Sequence, residues 1–394
     1  MKFKNLTLKY AAITAAFMMM ACAMNYTYNF LSQSGFADGT VGIIITSVSV
    51  LGIVLQTVAS SVVDKSDKID EKRFIALTMT LTAAFSALLA LAPNGSVFMV
   101  ILAVIAFSLF ALGMPFLNSM AFAYEAQGGK INYGLARGMG SLAFAIGSSL
   151  LGQLWGMFGK KLLPWYLVIF AVITLLLLMT MPDAKVEKSG SEENAAPKES
   201  LSYFQFFAKY KKVLWVFISL VLLYFCHMLV NVYLSKIIGT FVTDTSRIES
   251  IQGTALFLAA IAELPPMFLF SKISEKIPNN KLLTFAVIFY SIKHILVYLS
   301  KSVGMLYFAM LLQMLSYAII IPATVYFANE SVNPEDSIKS QAVLGMTTTI
   351  GSLLSSSIGG QLFQHLSVSN TVLVGVIASI IGTVIMVMAV NKKD

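Results

Sequence analysis

The sequence predicts an all-α membrane protein, with twelve transmembrane helices forming two pseudo-symmetric six-helix bundles. Three observations predict it. Of the 394 residues, 57% are hydrophobic and only 12% charged, with a mean hydropathy of +0.80, whereas soluble domains carry about 25% charged residues. Apolar stretches of about 20 residues, enough to cross ~30 Å of hydrocarbon at 1.5 Å per residue, recur from end to end. Lysine and arginine fall unequally on the two sides of the membrane that these stretches define.

The spans read in order as 9–32, 39–63, 74–93, 96–124, 132–158, 162–181, 213–239, 250–272, 280–300, 303–329, 337–364 and 369–390. With both termini cytoplasmic, twenty of the 27 Lys and Arg lie on the inside. Five lie outside and two, Arg137 and Lys293, lie within spans. That bias supports a multi-pass topology in a bacterial cytoplasmic membrane. The net charge of +8 then reflects topology and contact with anionic lipid, and no nucleic-acid partner is expected. The start, "MKFKNLTLKYAAITAAFMMMACAM", has the basic end and apolar run of a signal peptide. The run continues past Cys22 into "NYTYNFL" and reaches bilayer length, so it reads as the first span. Cys22 and Cys226, the two cysteines, both fall inside spans and are read as small apolar residues.

Residues 182–212, "PDAKVEKSGSEENAAPKESLSYFQFFAKYKK", are charged and Ser-rich and read as a cytoplasmic linker ending in an interfacial amphipathic helix. They divide the chain into bundles 1–182 and 213–394, with 183–212 between them. The halves repeat. "FAYE" (122–125) closes the fourth span and "FANE" (327–330) the tenth, while "GSSLLGQL" (147–154) matches "SSSIGGQL" (355–362). Each half begins in the cytoplasm, so the repeats are parallel, and a central cleft between them suits alternating access.

Two loops and several spans carry a family resemblance. "SSVVDKSDKIDEKRF", with Asp64 and Arg73, and its counterpart "FSKISEKIPNNK", with Glu275, resemble the cytoplasmic gating loops of major facilitator transporters. In that family such loops clamp neighbouring helices in one state. Glu125 and Glu330, at repeated helix ends, are read as gating residues as well. "NYGLARGMGS" resembles the fifth span of the lactose permease and the oligosaccharide and nucleoside proton symporters. "DGTVGIIITSVSVLGIVLQ" resembles their second span and "IAELPPMF" their eighth. The resemblance implies that Arg137 binds solute hydroxyls and that Glu263 links binding to proton transfer, with Lys293 where the family has an arginine. The chain departs from the lactose permease at Asn118, which stands where a glutamate pairs with the arginine. It departs again in the tenth span, which offers Gln313, Ser316 and Tyr317 in place of an ionisable relay. Galactoside specificity is therefore not expected.

The residues themselves support a cavity. A guanidinium at mid-bilayer costs ~3 kcal/mol even on lenient scales, so Arg137 must face water or a partner. Gly134, Gly138, Ser141, Ala145, Ser148 and Gly152 make one face of its helix small and polar. Asn25, Tyr28 and Asn29 in the first span, and Tyr224, His227 and Asn231 in the seventh, form polar stripes suited to a neutral hydroxylated ligand. Glu263 is the only acid well within a span. Near Lys293 and His294 it is either a proton carrier or half of a static ion pair. No phosphate-binding loop, metal-spaced His or Cys set or nucleophile elbow is present, so neither an enzyme nor a cofactor is expected.

The expectation is a monomeric secondary transporter that takes up a sugar, oligosaccharide or similar hydroxylated solute with protons. Arg137, Asn118, Asn25, Tyr28, His227, Asn231 and Gln313 would bind solute, and Glu263, Lys293 and His294 would couple it. An exporter, nucleoside uptake and a non-transporting sensor remain as alternatives.

Overall fold

The computed structural model describes residues 5–65, 69–182 and 202–391. Most of the 183–212 linker therefore lies outside the described residues. Eleven stretches among them are long and apolar enough to cross a membrane. The longest, Tyr133–Met179, holds two spans separated by the 3-10 turn Gly159–Lys161, so all twelve expected spans are present. We number them α1 (Leu6–Gln33), α2 (Asp38–Lys65), α3 (Glu71–Leu91), α4 (Val97–Ala126), α5 (Tyr133–Phe158) and α6 (Leu162–Met179) in the first half. The second half has α7 (Lys211–Val232, continued by Leu234–Ile238), α8 (Ile248–Ser274), α9 (Asn279–Leu299), α10 (Val303–Glu330), α11 (Ser337–His365) and α12 (Val368–Asn391).

Local signals account for the boundaries. The side chains of Asp70, Ser96, Asn132 and Ser302 accept backbone N–H groups at the starts of α3, α4, α5 and α10. Gly159 ends α5 at φ 63°, a conformation that costs a glycine little. Large apolar side chains such as Val50, Val54 and Val58 face outward from α2, as a lipid-facing surface requires.

The first and fourth spans of each half are interrupted. α1 tightens into a 3-10 turn at Cys22–Tyr26, α4 breaks between Ala111 and Gly113, α7 breaks at Tyr233, and α10 tightens at Leu312–Leu315. Broken helices expose backbone groups at membrane depth, which is tolerated where they line a pathway. α8 also carries Pro265 and Pro266, which deny hydrogen bonds to the carbonyls of Ile261 and Ala262 just before Glu263.

The packing obeys the internal symmetry. α1 lies on α5 and α6, and α7 on α11 and α12, while the halves meet along α5 with α8 and α2 with α11. At the end that carries the termini, Lys9 and Lys72 donate to the carbonyls of Thr180 and Met181, and Tyr124 to that of Pro182. A short helix runs over Tyr203–Lys209, with a capping box between Ser202 and Gln205. Lys209 donates to Asp336 at 2.9 Å, a bond that lifts its ammonium above the ordinary lysine value.

Candidate functional site: a closed end and a polar pocket

The halves are drawn together most tightly at the end opposite the termini. A Cβ at Gly152 of α5 would lie 2.3 Å from the carbonyl oxygen of Glu249 in α8. One at Gly42 of α2 would lie 2.2 Å from that of Ser356 in α11. A tyrosine from each helix break sits at each crossing, bonded to the helix of its own half. Tyr26 donates to the Ser148 carbonyl at 2.7 Å and stacks on Trp155, while Tyr233 donates to the Ser356 carbonyl at 3.2 Å and packs on Phe363. The second set repeats the first a little over two hundred residues later, so the closure itself is pseudo-symmetric.

Polar groups seal it. Lys236 of α7 pairs with Asp38 of α2, whose other oxygen accepts from Tyr28 at 2.7 Å. Gln33 donates to Glu249 at 2.6 Å, Asn29 to Gln252 at 2.9 Å, Gln252 to the Asn25 carbonyl at 2.9 Å, and the Gly39 N–H to Gln364 at 2.9 Å. A cavity of about 320 Å³ lies beside this seal, lined by Tyr28, Gln33, Lys236 and Glu249 among others. Toward the termini the same helices are less covered: Arg137 on α5 and Gln341 and Gly345 on α11 are exposed.

Lys236→Gln is expected to weaken this closure by about 1.5–3 kcal/mol, the usual worth of a hydrogen bond to a charged group. Trp155 is 3% exposed and reports the state in a W165F/W215F background. A water-soluble quencher should reach it more readily in K236Q, and equal quenching would remove the pair from the seal.

The second half holds a buried polar pocket at mid-helix. Gln313, in the α10 break, donates to Glu263 at 2.8 Å and accepts from Lys293. Lys293 is 1% exposed and sits 5.9 Å from the centre of the Tyr290 ring. His227 stacks on Tyr317 with ring centres 4.9 Å apart, and its Nε2 meets the Asn231 amide at 3.0 Å. Three of the pocket's buried groups have no hydrogen-bond partner among the described residues: His227 Nδ1, His294 Nε2 and the Tyr290 hydroxyl. Unsatisfied groups in one pocket leave hydrogen bonds for a ligand or water to make.

The structure brings Glu263, Gln313, Lys293, His227 and Asn231 together, and it alters several expectations. Glu263 and Lys293 do not form a direct ion pair, because Gln313 bridges them. His294 is held from α12, its Nδ1 meeting Ser379 at 2.8 Å. Tyr28 and Asn25 join the closed end: the Tyr28 hydroxyl is spent on Asp38 and the Asn25 carbonyl on Gln252. Asn118 accepts from Tyr133 at 3.1 Å, and Arg137 is exposed with Met114 Sδ 4.0 Å from its Nη1.

Among the expected gating residues, Arg73 lies in the first turn of α3, its backbone N–H capped by Asp70. Glu330 accepts from Asn279 at 2.7 Å, and Glu125 and Glu275 are exposed. The Asp64 side chain lies outside the described residues. Sequence reading missed Asp38, Lys236, Glu249 and Gln252 as gate residues. The "GSSLLGQL"/"SSSIGGQL" repeat already contained Gly152 and Gly360 and is the signal that could have found the two crossings.

The model of the MFS_1 like family matches residues 14–374. The chain belongs to that family. It is a membrane transporter of the major facilitator fold, and its family and fold neighbours are transporters, not enzymes. A crystal structure of the nucleoside transporter NupG (D323A mutant) superposes with a TM-score of 0.82 at 16% identity, over 98% of this chain and 100% of that one. A bacterial homologue of the iron transporter ferroportin, in an inward-facing state, gives 0.73 at 13% identity over 100% of both chains. A bacterial homologue of the lysosomal transporter Spinster gives 0.71 at 14%, over 99% and 97%. No curated protein matches the sequence. At these identities the solved structures establish the fold alone.

Proposed function

We propose that this MFS_1-like protein takes up a small hydroxylated solute (a sugar, an oligosaccharide or a nucleoside) together with protons, by alternating access in a bacterial cytoplasmic membrane. The bundles 1–182 and 213–394 act as two rocking units, and each chain, working as a monomer, holds a whole pathway. The observation that carries the reading is the Glu263–Gln313–Lys293 bridge, a carboxyl and an amine one amide apart at the break of α10. Such a site can take a proton in one state and release it in another as water and solute come and go. The stacked His227 and Tyr317 rings offer a platform for a planar or pyranose ring, and the unpartnered polar groups beside them offer hydrogen bonds. The positive-inside bias supports termini in the cytoplasm, which makes the closed end the extracellular one.

Arg137 completes the solute site from the first half when the halves close on the ligand. Arg137→Lys is expected to lower affinity at least tenfold, because an ammonium cannot present the planar fork that grips two hydroxyls. Normal binding by R137K would remove Arg137 from the site. The test of the reading as a whole is proton flux in proteoliposomes, followed with an internal pH dye while sugars, oligosaccharides and nucleosides are added outside one at a time. Acidification with one solute class supports symport and names the substrate. Alkalinisation of the lumen on adding a solute outside, with protons leaving as the solute enters, would support a proton antiporter instead.

A further inference from the structure

The two halves place one acid each at matching points of the outer seal, Asp38 at the start of α2 and Glu249 at the start of α8. Their surroundings repeat: Gly42 and Gly253 follow four residues after each, and the Tyr233 and Tyr26 hydroxyls lie at the respective crossings. The partners differ. Asp38 holds Lys236, and the residue in the corresponding place of α1 is Asn29, which reaches Glu249 only through its amide at 3.4 Å. Glu249 is 5% exposed and accepts from Gln33 at 2.6 Å. Closing the gate thus buries one acid against a cation and the other against neutral amides.

No other charge answers Glu249 among the described residues. On α1 the facing titratable groups are Tyr26 and Tyr28, given to the Ser148 carbonyl and to Asp38. On α7 it is Lys236, committed to Asp38. In the turn after α5, Lys160 donates to the Gln33 carbonyl and Lys161 is exposed. In the turn before α8, Asp244 binds Ser246 and Arg247 is exposed, as is Lys301 ahead of α10. α5 presents Gly152 and Trp155, and α2 presents Asp38.

We infer that Glu249 is a proton-binding site of the outer gate, which takes a proton from the external water as the gate closes and returns it there on opening. Burying an unpaired carboxylate costs several kcal/mol, and adding a proton removes that cost. A sodium ion fits the seat less well. Asn29 and Gln33 both turn NH₂ groups toward Glu249, while their carbonyl oxygens accept from Ser235 at 3.0 Å and from Trp155 at 3.1 Å. This proton does not cross the membrane. It makes outward opening depend on external pH, apart from any proton carried at Glu263. The inference rests on the alternating-access reading but not on its substrate.

The test reads the gate and not transport. In a W165F/W215F background, with D38N and K236Q added together to populate the open form without leaving Asp38 unpaired, iodide quenching of Trp155 is followed in proteoliposomes from external pH 8 to 5. Accessibility should fall on acidification, approaching tenfold per pH unit in the acid range for a single linked proton. It should become flat and low in E249Q, the neutral isostere. N29K, which supplies the missing cation, should be flat as well. A pH-independent gate in both wild type and the D38N/K236Q background overturns the inference. So does a pH dependence that survives E249Q but is lost in E263Q, and so does closure driven by sodium at fixed pH. Failure of proton symport with the gate still closing on acidification would sink the proposed function and leave this site standing.

Discussion

Gly152→Ala should nearly abolish net transport while leaving the protein folded in the membrane. The added methyl would lie 2.3 Å from the Glu249 carbonyl oxygen, 2.7 Å from the Tyr26 hydroxyl and 3.0 Å from the Gly253 Cα. Two of those three atoms are backbone, which cannot swing aside as a flexible side chain would. α5 and α8 must separate, and the hydrogen bonds of Gln33 and Asn29 to α8 stretch with them. Overpacking of this kind costs about 1–3 kcal/mol, a shift of roughly fivefold to 150-fold toward a gate that cannot close. Gly42→Ala, with its methyl 2.2 Å from the Ser356 carbonyl, should act alike at the mirror crossing. Gly345→Ala is the control, since its Cβ would meet nothing within 4 Å. Initial uptake rate and Trp155 quenching measured together decide the matter. A G152A protein that transports at the wild-type rate would show that the tight crossing does not form during the cycle.

Glu263→Gln should separate coupling from movement. Glutamine keeps the shape and the oxygen that accepts from Gln313, so the bridge toward Lys293 survives in outline. It cannot take or give up a proton. Solute exchange down its own gradient should persist within a fewfold of wild type, whereas accumulation against a gradient should vanish. With one proton per solute, a gradient of one pH unit is worth about 1.4 kcal/mol, so the accumulation ratio should drop from about ten toward one. Counterflow and uphill uptake in the same vesicles test this, and continued accumulation by E263Q would assign the proton to another group.

Much of the pocket was legible because charge in an apolar span is costly and therefore conspicuous. Glu263 and Lys293 stood out for that reason, and the structure does bring them to one place. Gln313 as the bridge between them was not legible. An amide in a span is unremarkable, and its role depends on the 3-10 turn Leu312–Leu315 aiming it between α8 and α9. Tyr28 and Asn25 were equally apparent as polar stripe residues, yet their depth along the pathway was not, because a stripe fixes a face and leaves open which end of the helix meets the opposite half.

By itself the sequence determined the spans and the two-fold repeat. These follow from local apolarity, from loop charge and from self-similarity, none of which needs a distant contact. The family and the transporter fold were likewise readable in short motifs. Only the tertiary structure decided where the pathway is shut. Closure depends on residues some two hundred positions apart meeting to within a few ångströms: Gly152 with Glu249 and Gly253, Lys236 with Asp38, and Asn29 in the place that its symmetry mate gives to a cation. Each partner is an ordinary residue in its own helix, and its consequence arises only when the packing of two bundles puts it against the other.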